Sequence, residues 1–135
     1  MLHHDQLTSR IIAAAINVHK ALGPGFLESV YEQALALELA TAGLRFERQK
    51  TIGIEYLGQT VGEHRLDLLV EDEVVVELKA VSELEPIFFA TVRSYLKAAR
   101  LETGLLLNFA AIPLMIKRVG REQIESGKQE NRRAD

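Results

Sequence analysis

RLDLLVEDEVVVELKA, Arg65 to Ala80, decides how the rest of the chain is read. Two runs rich in Leu and Val, Arg65 to Val70 and Val74 to Lys79, flank the acidic Glu71-Asp72-Glu73. Such runs suit a pleated, half-buried surface, so the stretch predicts a β-hairpin. Side chains alternate faces along a strand. Leu66, Leu68 and Val70 should therefore share one apolar face with Val74, Val76 and Leu78. The other face should carry Arg65, Asp67 and Leu69, then Val75, Glu77 and Lys79. A three-residue loop over Glu71 to Glu73 pairs Val70 with Val74 and sets Asp67 opposite Glu77. A two-residue loop would put those acids on opposite faces and turn one apolar row to solvent, because a one-residue slip flips every side chain. The pattern selects the longer loop.

Two facing carboxylates repel each other. A hard divalent cation reverses that cost by taking their oxygens. Lys79 belongs to the same face, where its ammonium would hold an anionic substrate or a water. The plainer alternative is a solvated sheet face with a Glu77-Lys79 pair.

Upstream stands Gly25-Phe26-Leu27-Glu28-Ser29-Val30-Tyr31, and downstream LLLNF at Leu105 to Phe109. Asp67 followed by Glu77-Leu78-Lys79 resembles the D…E-x-K signature of PD-(D/E)XK nucleases. The Gly25 to Tyr31 segment resembles the motif of the small bacterial GxxExxR proteins, with Tyr31 in place of the Arg. The likeness runs from about Leu22 to Val119. It implies an α/β domain with a restriction-endonuclease-like core, a mixed central β-sheet flanked by helices. It also implies a catalytic set of Glu28, Asp67, Glu77 and Lys79. Glu28, Asp67 and Glu77 would bind Mg²⁺ or Mn²⁺, with the Leu78 carbonyl as a further ligand. On residue chemistry alone Glu28 is a first-turn carboxylate suited to a helix dipole.

Composition bounds these readings. A chain of 135 residues suits one domain with a single core. That domain is expected over 1–120, with a polar, disordered tail at 121–135. No apolar run approaches the ~20 residues of a membrane span. The opening MLHHDQLTSR lacks the apolar segment of a signal peptide. There is no Cys, which excludes disulfides and thiolate zinc sites and makes the cytoplasm the default location. The paired His3-His4 reads as solvated. A net charge of −3 and a pI near 5.8 argue against broad, charge-driven nucleic-acid binding, whose usual footprint is a pI above ~9. They leave room for a nuclease whose acids are neutralised by metal.

In chain order, Leu7 to Leu22 reads as a helix, stopped by Gly23. A second helix is expected from about Leu27 to Ala42, ended by Gly43. Val30, Ala34, Leu37 and Thr41 share one apolar stripe, with Tyr31, Leu35 and Leu39 beside it; Glu32 is read as solvated. Phe46 to Tyr56 alternates as a strand, Leu57-Gly58-Gln59 turns, and the chain runs into the hairpin. Arg45, Arg48 and Lys50 read as solvated edge charges. His64 should point away from Asp67's face if the strand is regular. Ser82-Glu83-Leu84-Glu85 has the form of a capping box, and Pro86 opens a helix to about Arg100. Arg93, Lys97 and Arg100 form its basic face. Gly104 to Phe109 fits a buried strand parallel to the Glu77 strand, because a whole helix separates them. Leu114 to Val119 reads as a last strand.

Two function classes remain. The first is a metal-dependent nuclease hydrolysing phosphodiester bonds, with DNA as its partner. The second is an inactive nuclease-fold module that binds a partner or assembles as a homodimer. Supporting the second are the acidic pI, and Phe88, Phe89 and Thr91 at positions where the resemblance leads us to expect polar residues, a Gln at Thr91.

Overall fold

The computed structural model describes residues 4–121. His3, the side chain of His4 and the expected tail beyond Arg121 lie outside the described residues. Helix α1 spans His4–Leu22, α2 Glu28–Thr41 and α3 Pro86–Ala99; strands β1 to β5 span Phe46–Tyr56, Gln59–Val70, Val74–Lys79, Thr103–Asn108 and Met115–Gly120. The strands form one sheet in the order β1-β2-β3-β4-β5. All neighbours are antiparallel except β3 and β4. That parallel pair needs a crossover, and α3 supplies it. This is the mixed α/β sheet the sequence implied.

The helices cover the sheet from both sides. Leu7, Ile11, Ala15 and Val18 of α1 join Tyr31, Leu35 and Leu39 of α2 over Leu68, Val70, Val74, Val76 and Leu78. On the other side, Val92 and Leu96 of α3 pack on Leu66, Leu69, Val75 and Leu106. Gly104 permits that approach: a Cβ there would sit 2.8 Å from Val92 Cγ1. The β1–β2 turn is closed by Leu57 and Gly58, both with positive φ, 50° and 77°.

Three local expectations are corrected. In α2 the buried stripe is Tyr31, Glu32, Leu35, Ala36 and Leu39, while Val30 and Leu37 are exposed. Both stripes have helical spacing; the sheet below α2 chose the one that also brings Glu28 and Glu32 toward it. Leu66 does not share a face with Leu68 and Val70, because it packs under α3. The cause lies in the strands around Asp67, where the β1–β2 ladder is interrupted. The capping box does not form: Glu85 is the N-cap of α3 and makes no side-chain cap bond, with Pro86 following. Proline's fixed φ and missing N–H already suit that first turn.

Candidate active site

The site is built where β2 and β3 part. Val70 pairs with Val74, Leu69 with Val75 and Leu68 with Val76, the register of the three-residue loop. Pairing stops there. Instead of a ladder bond from Asp67, its Oδ2 accepts the Leu78 N–H at 2.9 Å. Glu77 stays under α3 and is only 7% exposed. Glu28, in the first turn of α2, reaches the same end of β3, where Oε2 accepts the Ala80 N–H at 3.2 Å. Lys79 sets its Nζ 4.4 Å from the centroid of the Phe88 ring on α3.

The electrostatics follow from this crowding. Burial, then the charge of Asp67 beside it, pushes the Glu77 carboxyl up to about 8. Lys79 pulls it down and Glu28 pushes it further up. Asp67 is also raised, first by burial, against the Leu78 N–H that favours its charged form; Glu32 and Glu28 add repulsion. Glu77 Oε1 is buried and has no hydrogen-bond partner. Ionising a buried carboxyl whose oxygen has no partner is costly, which favours the protonated form.

The family model of the PD-(D/E)XK nuclease superfamily matches residues 5–119. The chain belongs to the PD-(D/E)XK nuclease superfamily. Nucleases of this superfamily generally use divalent metal ions, typically Mg²⁺, and act on nucleic acid. A solved structure, the crystal structure of SSO0001, superposes with a TM-score of 0.56 at 15% sequence identity. The likeness covers 73% of this chain and 52% of that one, so the chain spans about half of that structure's length. At that identity it speaks for the fold alone. No curated protein matches.

The superfamily's usual metal can be tested against these residues. Among the described residues, no three His, Cys, Asp or Glu side chains are already arranged as a ligand set. Asp67 has an oxygen tied to the Leu78 amide of β3, and Glu28 one tied to the Ala80 amide just after it. The donors are nevertheless hard carboxylate oxygens, Glu77 and Asp67 are raised by burial and then by neighbouring carboxylates, and Glu77 Oε1 lacks any partner. Those features fit a divalent cation.

The superfamily signature omits several neighbours that the structure adds. Glu32, read as solvated, is 7% exposed. Its Oε2 accepts from Arg48 Nε at 3.1 Å and its Oε1 from Gln49 Nε2 at 2.7 Å. Tyr95 of α3 is pushed up to about 12 by burial and then by the charges of Glu77 and Asp67. His64 lies edge-on to Tyr95, ring centroids 4.7 Å apart, and contacts Ser94 Oγ at 3.1 Å. Strict alternation had turned His64 away from the site; the strand is not regular. Asn108 is buried at the end of β4, where it takes the Val81 N–H on Oδ1 and donates Nδ2–H to the Val81 carbonyl. This fixes the chain just after Lys79, whose register partner is Asn108. The parallel pairing was the signal that could have found it.

Tyr31 stands where the GxxExxR motif has Arg. Its hydroxyl donates to the Gly23 carbonyl at 2.5 Å and accepts the Phe26 N–H at 3.2 Å, and its ring stacks on Phe109. The phenol thus holds the loop that delivers Glu28.

Proposed function

We propose that this chain is a metal-dependent nuclease hydrolysing phosphodiester bonds in DNA. The observation that carries the reading is Glu77 Oε1, a buried carboxylate oxygen with no partner, facing the Asp67 carboxylate with an ammonium close by. Glu28, Asp67 and Glu77, with the Leu78 carbonyl, would hold Mg²⁺ or Mn²⁺. Such an ion, when bound, lowers the pKa of a water and offsets charge on phosphate. Lys79 supplies fixed positive charge for the developing oxyanion and orients the attacking water. Phe88 beneath its ammonium limits where that charge can sit. Tyr95 keeps its proton throughout the working pH range.

The α3 side of the site also suits a phosphate backbone. Arg45, Arg48, Lys50 and Arg121 are each ion-paired. Arg93, Lys97 and Arg100 have no acidic partner among the described residues. Lys97 and Arg100 line a groove with Ile54, His64, Ser94 and one carboxylate, Glu55, whose Oε2 accepts from Thr60, next to Tyr95. Among the superfamily we place the chain with the GxxExxR proteins, on Gly25 and Glu28. We place its action in the cytoplasm, on the absence of cysteine. Among the described residues, no helix is long and apolar enough to cross a membrane.

The test is cleavage of single-stranded, duplex and branched DNA with Mg²⁺ or Mn²⁺, run beside Asp67→Asn. Metal-dependent cleavage lost in Asp67→Asn is the expected result. Should the wild type bind DNA or self-associate without cleaving any substrate, the chain is the binding or homodimeric module instead. Phe88 and Phe89, the surface that module would have used, pack against the α3-side core.

A further inference from the structure

Glu32 holds two neighbours on β1, and what it does to them reaches Asp67. The β1–β2 ladder keeps one register on both sides of a gap: Arg48 pairs with Leu68 and Lys50 with Leu66. Gln49 and Asp67, which that register would pair, do not. Gln49 has φ 52°, the left-handed region, which a long side chain inside a strand rarely adopts. At the same point β2 changes faces. Leu66 packs under α3, while Leu68 packs under α1 and α2. The Asp67–Glu77 pair is missing from the other ladder as well. Asp67 is therefore free of ladder pairing toward both neighbouring strands, and its carboxylate reaches the Leu78 N–H.

A strained backbone persists only where its surroundings hold it. Here the hold is visible: Glu32 grips the amide of Gln49 at 2.7 Å and the guanidinium of Arg48 at 3.1 Å. Arg48 and Gln49 are consecutive, so the two bonds fix the strand immediately before the gap. We infer that Glu32 is a positioning residue: by clamping Arg48 and Gln49 it keeps β1 in the turned conformation that opens the ladder at Asp67 and sets the Asp67 carboxylate over β3. The α2 helix then serves the site twice, with Glu28 in its first turn and Glu32 one turn later.

The test compares the wild type with Glu32→Gln, Arg48→Met and the double variant Glu32→Gln/Gln49→Gly. Glu32→Gln nearly keeps the shape but sets an amide NH₂ against one of two donors, so one bond is lost. The first readout is the Leu78 amide, by its proton shift and hydrogen exchange. The second is Mn²⁺ affinity by calorimetry, and it alone rests on the metal reading. Expected is a shifted, faster-exchanging Leu78 amide and about tenfold weaker Mn²⁺ binding in Glu32→Gln, the range for losing a group that orients a ligand. Arg48→Met should shift the same amide in the same direction, and stands in if Glu32→Gln does not fold. Glycine adopts positive φ without a clamp, so Gln49→Gly should restore both readouts toward wild type. A lower melting temperature with an unmoved Leu78 amide in Glu32→Gln and Arg48→Met would make Glu32 an ordinary buried ion pair and overturn the inference. Absence of Mn²⁺ binding by the wild type would sink the metal reading, and the Leu78 amide would still decide the role of Glu32.

Discussion

At the closed end of the β2–β3 hairpin, Glu71 accepts the Arg45 N–H at 2.7 Å and its guanidinium at 3.2 Å, and Asp72 takes the same guanidinium at 3.5 Å. At the open end, Asp67 and Glu77 face each other, and Glu77 Oε1 has no partner. The Arg45 N–H, and then its charge, hold the Glu71 carboxyl below the usual carboxylate range. Burial first, then repulsion from Glu32 and Glu28 for Asp67 and from Asp67 for Glu77, pushes both above it. Carboxylates a few positions apart, Glu71 in the turn and Asp67 and Glu77 on the strands it joins, are shifted in opposite directions. Residue type does not separate a structural acid from a functional one; whether the fold supplies its counter-charge does. Acids left uncompensated inside a fold mark candidate ligand sites.

The contrast is tested most severely at Lys79. Lys79→Met keeps much of the apolar stem and removes the charge. If that charge acts in the transition state, cleavage falls roughly 10²–10³-fold, about 3–4 kcal/mol. Mn²⁺ affinity holds or rises, because a nearby ammonium opposes a cation. A changed melting temperature with near-wild-type cleavage would reduce Lys79 to a structural partner of Glu77 and Phe88.

Next in size is the pH dependence of the open end. Glu77 binds its proton more tightly folded, near 8, than its ordinary 4.5. Between those values the folded state holds more protons than the unfolded one. Without metal, stability therefore falls as pH rises from 4.5 through 8 and levels off above, by on the order of 5 kcal/mol for the coupled pair. Glu77→Gln should flatten that fall and melt higher than wild type at alkaline pH. Melting curves across this range check it; equal slopes would mean the acids are not in conflict. Millimolar Mn²⁺ should raise the wild-type melting temperature and raise that of Glu77→Gln less.

The smallest effect belongs to the closed end, and it has the opposite sign. Glu71 is depressed below 4.5 when folded. Its contribution is present above that value and disappears as pH falls through the folded one. Glu71→Gln should lower the melting temperature slightly at neutral pH and not at all in strong acid, because exposed pairs contribute little. Cleavage and Mn²⁺ binding should stay at wild-type levels. A loss of Mn²⁺ binding there would erase the distinction between the two ends.

What the sequence determined by itself is what short-range patterns encode. The hairpin register follows from the apolar alternation on either side of Glu71 to Glu73, and Val70 does face Val74. The parallel setting of β4 follows from the length of the α3 crossover. That register also predicts Asp67 opposite Glu77, but the ladder ends at Leu68 and Val76 and does not form that pair. What only the tertiary structure decided depends on contacts far apart in the chain. Two stripes of α2 had helical spacing, and packing on the sheet selected the one that buries Tyr31 and Glu32. The strand parity that assigned Leu66 and His64 to their faces assumed a regular ladder. It failed at Asp67, where Gln49, held from α2 by Glu32, turns the neighbouring strand. Alternation is a property of one strand and is visible in its residues; a strand turned by a clamp from another element is not. For the same reason Asp67 and Glu77 could be read as facing each other, but Glu77 Oε1 could not be read as lacking a partner. That required knowing where every nearby donor had already been used.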